Sequence, residues 1–244
     1  MVTAIRLRRS TRAWTCESTT EVQARASTTQ PVSRNARAWA PGRTTFCWLW
    51  RVVWLACLVP LIWLAFGAYA DRLGANPIEY ITRATGDWTL RMLLVTLAVT
   101  PLRQITGWHW LVRLRRMLGL YAFFYASMHL LTYLWLDQFF DIEGILKDII
   151  KRPFITIGFG AFVLLLPLAM TSTNGMVRRL GGRAWQRLHK VTYVVGVLGV
   201  AHYWWLVKKD LTEPILYACI LATLFAVRLW HVRRLRAHVA AQTA

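Results

Sequence analysis

Six apolar stretches divide this chain, at about residues 46–69, 88–105, 117–136, 153–170, 183–205 and 214–230. A helix rising ~1.5 Å per residue needs about 20 predominantly apolar residues to cross a bilayer core. The segments between the stretches alternate in charge. The loop after the second stretch carries Arg113, Arg115 and Arg116 and no acid, the loop after the fourth carries Arg178, Arg179, Arg183 and Arg187, and both chain ends are basic. The loops after the first, third and fifth stretches are mixed. They hold Asp71, Glu79 and Asp87 against Arg72 and Arg83, then four acids against three bases over residues 137–152, then Lys208 and Lys209 against Asp210 and Glu213. Positive loops stay in the cytoplasm, so the pattern predicts an all-α polytopic membrane protein of six spans with both termini cytoplasmic. The second stretch is the weakest, short and bounded by Arg91 and Arg103. Removing it would place basic loops on opposite sides, so the alternation itself argues for it.

Composition narrows the function. The chain is 244 residues long, 56% hydrophobic, with 14 Trp and a net charge of +19. That charge lies in particular loops, which argues for topology and against nucleic-acid binding. Spans and short loops leave little room for a soluble catalytic or nucleotide-binding domain. The four cysteines show no C-x-x-C pair, and Cys47, Cys57 and Cys219 lie in or beside apolar segments. A disulfide framework or thiolate metal site is not expected, and apolar packing is. Residues 1–45 are polar with only Glu17 and Glu21 as acids, and no apolar region closely follows the Arg8-Arg9 pair. The expected organisation is a disordered basic extension at 1–45, a six-span domain at 46–232 and a basic cytoplasmic tail at 233–244.

The histidines carry the chemistry. His231 and His238 fall in the tail and His109 in a basic loop, where solvation is expected. His129, His189 and His202 fall within spans, and an ionisable residue there points to function. A proton relay would include carboxylates, yet no acid lies inside any of the six stretches. His189 and His202 are ~20 Å apart along a helix axis, too far to share one metal ion. Haem suits better, because neutral imidazoles on facing helices can grip a porphyrin iron from both sides. By depth, His129 lies ~10 Å and His202 ~7 Å from the outer ends of their spans, whereas His189 lies ~8 Å from an inner end. The preferred axial pair is therefore His129 with His202. Thirteen steps of helix rotate His189 by about 220° from His202, and the third span offers only Arg115 or Arg116 at its level, so His189 is left without a visible partner.

Six spans with one histidine on the third and two on the fifth resemble the ferric-reductase-like transmembrane domain shared with NADPH oxidases and metalloreductases. The resemblance rests on RRMLGLYAFFYASMHLLTYLWLDQ, on KRPFITIGFGAFVLLLPLAMTSTNGMVRRLGGRAWQRLHKVTYV and on His202. Within that group the chain is similar to the haem-binding membrane subunits of bacterial periplasmic methionine-sulfoxide reductase systems, which implies a place in the bacterial inner membrane. The resemblance implies a six-helix bundle in which His129, His189 and His202 are the haem-associated positions, with one or two haem b groups and FMN as a further cofactor. It also implies an electron-transfer subunit rather than a catalytic one. Electrons would come from the quinone pool or a cytoplasmic flavin reductase. They would pass to MsrP, a periplasmic molybdopterin-containing enzyme that repairs oxidised proteins. Arg178, Arg179 and Arg183 are candidate contacts for haem propionates or an FMN phosphate, beside their role in topology. The alternatives are a stand-alone membrane ferric or quinone reductase and a histidine-based metal transporter. The absence of a repeated half and of intramembrane carboxylates counts against the transporter.

Overall fold

The computed structural model describes residues 40–207 and 210–243, and among them every regular element is helical. The expected disordered extension therefore lies outside the described residues up to position 39. Helix α1 spans Arg43–Tyr69 and α2 Pro77–Thr106, where Pro77 occupies the first turn and Asn76 caps the Glu79 N–H. Gly107, with φ of 73°, ends α2 in the left-handed conformation that glycine adopts without strain. A 3-10 turn at His109–Leu111 leads into α3, Val112–Leu131, which runs on through a π-helical turn at Thr132–Asp137. Helices α4 (Ile142–Lys151) and α5 (Pro153–Met170) follow, joined by Arg152 alone. The short α6 (Asn174–Leu180) and α7 (Gly182–Leu188) precede α8 (Val191–Leu206) and α9 (Thr212–Thr243).

Among the described residues, four segments are long and apolar enough to cross a membrane: Arg43–Tyr69, His109–Asp137, Pro153–Met170 and Thr212–Arg234. Helix α2 is not among them, since its 30 residues include Arg83, Asp87, Arg91 and Arg103. Helix α8 has only 16 residues. The fifth apolar stretch, expected as one helix from residue 183, is divided. Helix α7 ends at Leu188, His189 caps it, and α8 starts at Val191. The Thr192 hydroxyl donates to the His189 carbonyl at 2.9 Å, which secures the break. His189 thus sits at a two-residue turn between α7 and α8 rather than inside the helix that carries His202.

The core lies where α3 packs on α2 and α5 packs on α8. Met92, Leu93 and Val99 of α2 meet Leu118, Ala122, Tyr125 and Ala126 of α3, with Leu165 and Val195 alongside. In lipid, close packing and interhelical hydrogen bonds replace the hydrophobic effect as the force between helices. Two such bonds tie α3 to α1: Tyr121 Oη donates to the Trp54 carbonyl at 3.0 Å and Tyr125 Oη to the Cys57 carbonyl at 2.7 Å. A second cluster joins Leu90, Leu94 and Leu97 of α2 to Val200 of α8 and to Tyr217 and Leu221 of α9. Trp110 is buried and packs edge-on to Phe46 at 6.4 Å. Cys57 and Cys219 are free, but Cys47 is disulfide-bonded, against the expectation that the cysteines serve apolar packing alone. The expected tail is helical, because α9 continues to Thr243.

Candidate functional site

Four helices converge on His129 and His202. His129 comes from the last turn of α3 and His202 from the last two turns of α8. Their ring centroids are 6.3 Å apart, with the ring planes at 75°. Both rings line a cavity of ≈1330 Å³ bordered by Leu90, Leu93, Ala161 and Phe162 among others. Small-molecule sites typically run about 300–1,000 Å³, so the space is ample for a large planar group. Its rim has five carboxylates, among them Asp87, Asp210 and Glu213, against Arg83 and Arg152. Arg83 is paired with Glu79 at 2.5 Å and Arg152 with Asp148 at 3.2 Å.

Each imidazole is held in the same way. His129 Nδ1 lies 2.9 Å from the Thr82 carbonyl of α2, and His202 Nδ1 lies 2.6 Å from the Phe154 carbonyl of α5. A carbonyl only accepts, so each Nδ1 carries the proton. Each Nε2 of a neutral ring then keeps a lone pair for coordination.

Access to those carbonyls comes from two glycines. Gly86 stands four residues after Thr82, and Gly158 four after Phe154. A helical side chain covers the turn N-terminal to its own Cα, so a residue at i+4 shields the carbonyl at i. Glycine leaves it open. A Cβ on Gly86 would stand 3.1 Å from His129 Cε1, and one on Gly158 only 2.7 Å from His202 Nδ1. The glycines and their carbonyls are the site residues that sequence reading missed. Gly158, in the middle of an apolar run, was the available signal, because small residues inside membrane helices mark close approach.

His189 is arranged differently. Its Nε2 lies 3.2 Å from Thr171 Oγ1. Its ring stacks on Trp185 at 3.9 Å, and Trp185 Nε1 donates to the Thr171 carbonyl at 3.0 Å. Arg115 and Arg116 act on it electrostatically. It does not line the cavity, so the structure brings together two of the three expected histidines and not the third. Arg178, Arg179 and Arg183 are exposed on α6 and α7 and do not line the cavity either. Among the described residues, no group of three or more His, Cys, Asp or Glu could hold a metal ion.

A helical membrane bundle with paired histidines between its helices defines a class. Residues 85–200 match the family described as ferric reductase like transmembrane component. The chain is 58% identical over 181 residues to the protein-methionine-sulfoxide reductase heme-binding subunit MsrQ of Herminiimonas arsenicoxydans, covering 73% of this chain and 83% of that protein. It is 57% identical to that of Ralstonia nicotianae, covering 75% and 85%, and 53% identical to that of Caulobacter vibrioides, covering 75% and 87%. The chain belongs to the MsrQ family.

Proposed function

We propose that the protein is a haem b electron-transfer subunit of a methionine-sulfoxide reductase system, and that His129 and His202 would hold the haem iron. The observation that carries this reading is the pair itself. Two imidazoles that each bind one iron through a ring nitrogen at about 2 Å have their centres about 6 Å apart. The rings here are 6.3 Å apart, with both Nδ1 atoms engaged by carbonyls and both Nε2 atoms left to coordinate. The donor set fits haem, which asks the protein for two ligands and an apolar slot. Nothing in the cavity supplies the larger ligand cluster that a side-chain metal site needs.

Haem, when bound, supplies a one-electron carrier. The chain's own residues do the rest. Thr82 and Phe154 fix the tautomer and orientation of the ligands, and Leu93, Ala161 and Phe162 exclude water. Arg83 and Arg152 are the cations that the cavity offers to a carboxylate-bearing edge, a role charge-assisted hydrogen bonds suit. They take the place of Arg178, Arg179 and Arg183 in that role. In this reading α2 and α8 join the four long apolar segments to make six spans. The basic ends and both termini lie in the cytoplasm and the acidic rim faces the periplasm, as charge bias across an inner membrane requires. Electrons arrive on the cytoplasmic side from the quinone pool or a flavin reductase using FMN. They leave at the periplasmic side to the molybdopterin subunit MsrP. His189 lies toward the donor side and serves structure or donor contact rather than the iron of the paired site.

The visible spectrum of the purified, detergent-solubilised protein tests the reading. A b-type Soret band that shifts with dithionite is expected. A preparation that stays colourless after haem supplementation sinks it.

A further inference from the structure

Helix α4 was not expected from sequence, and the paired site uses only one of its edges. At about 100° per residue its ten residues divide among three faces. Ile145 and Ile149 form one edge and line the cavity. Beside them, Asp148 accepts hydrogen bonds from Tyr133 Oη and Gln138 Nε2, both at 3.2 Å. Glu143, Lys147 and Lys151 form a second face, with Lys147 paired to Glu143 at 2.6 Å. Ile142, Leu146 and Ile150, at i, i+4 and i+8, form the third, and they are 65%, 54% and 79% exposed.

Connectivity says what covers that third face. The chain reaches α4 from the segment ending at Asp137 and leaves it through Arg152 directly into α5. Both neighbours are long and apolar enough to cross a membrane. The Thr156 hydroxyl of α5 donates to the Ile149 carbonyl, which pins the end of α4 to α5. Tethered at both ends, α4 stays at the level where those helices leave the membrane. Helix α5 likewise exposes apolar side chains, at Phe159, Val163 and Leu166. An amphipathic helix with one charged and one apolar face lies in the plane of such an interface.

We propose that α4 lies in the plane of the membrane surface at the acid-bearing end, with Ile142, Leu146 and Ile150 among the phospholipid acyl chains. Glu143, Lys147 and Lys151 then face water, and Ile145 and Ile149 are held against the side of the cavity. The ligand of this face is the phospholipid surface, and lipid acts as the outer support of one cavity wall.

Thiol accessibility in the full chain, reconstituted in phosphatidylcholine nanodiscs, tests this. Leu146→Cys, Ile150→Cys and Lys147→Cys are compared for reaction with a membrane-impermeant maleimide, over the background of the native cysteines. Leu146→Cys and Ile150→Cys are expected to react about tenfold slower than Lys147→Cys, since access governs the rate. Equal rates overturn the proposal. So does fast labelling at all three positions that slows only when the catalytic partner protein is added, which makes the stripe a protein-docking face. So does protection confined to discs holding two copies. Spin labels on the same cysteines give a second reading. Collisions with oxygen should dominate at 146 and 150 and collisions with a water-soluble nickel chelate at 147, and the reverse order overturns the proposal.

Discussion

The paired site and the junction at His189 use the same side chain to opposite ends. At the paired site, each ring is anchored through Nδ1 to a helix carbonyl, which leaves Nε2 for a ligand. At the junction, Nε2 is itself engaged by the Thr171 hydroxyl at 3.2 Å and the ring is stacked on Trp185. The paired site is surrounded by space, and the junction is filled by its own neighbours. In the proposed reading, what separates a ligand from a structural histidine is which nitrogen the protein consumes.

The largest effect that would break this comparison is at the pair. His129→Ala or His202→Ala should abolish the b-type spectrum, a greater loss than the roughly 10–100-fold in affinity typical of changes behind a metal ligand. A normal spectrum in either variant would remove the distinction between the two regions. Next come the glycines. Gly158→Ala should weaken haem binding by about 10–100-fold in a haem titration and move the midpoint potential. Gly86→Ala should do less, because its Cβ would meet the ring at 3.1 Å rather than 2.7 Å. Equal effects would mean that the two carbonyl anchors are not made accessible in the same way. His189→Ala should leave the spectrum in place and lower stability by about 1–2 kcal/mol, read as thermal unfolding in detergent. If it alone strips the haem, the pairing is wrong. The smallest effect is Thr171→Val, which removes the hydroxyl contact of His189 for about 0.5–1.5 kcal/mol and should leave the haem titration unchanged.

The sequence made parts of this legible and hid others for physical reasons. Histidine is costly in lipid, so His129, His189 and His202 stood out without any structure. Depth along the spans put His129 and His202 on one level, where their rings lie 6.3 Å apart. The break at His189–Lys190 was hidden because neither glycine nor proline stands there to mark a stop. Helix α4 was hidden inside a segment read only for its charge, although Ile142, Leu146 and Ile150 already had helical spacing. The glycine windows were the least legible. Their meaning depends on which ring of another helix arrives at the open carbonyl, and spacing within one helix does not encode that.

The carbonyl anchors also bear on how the site handles a change in charge. A ring gripped through one nitrogen has little room to swing when the electron count at its other nitrogen changes. The acceptors are backbone atoms inside helices α2 and α5, which move less than side chains. A redox group held between two such rings would meet nearly the same surroundings before and after each transfer, so little reorganisation would oppose the electron. The same grip slows release of either ring to make way for an outside ligand. On the proposed reading, such a site would favour repeated electron hand-off over binding and transforming a substrate.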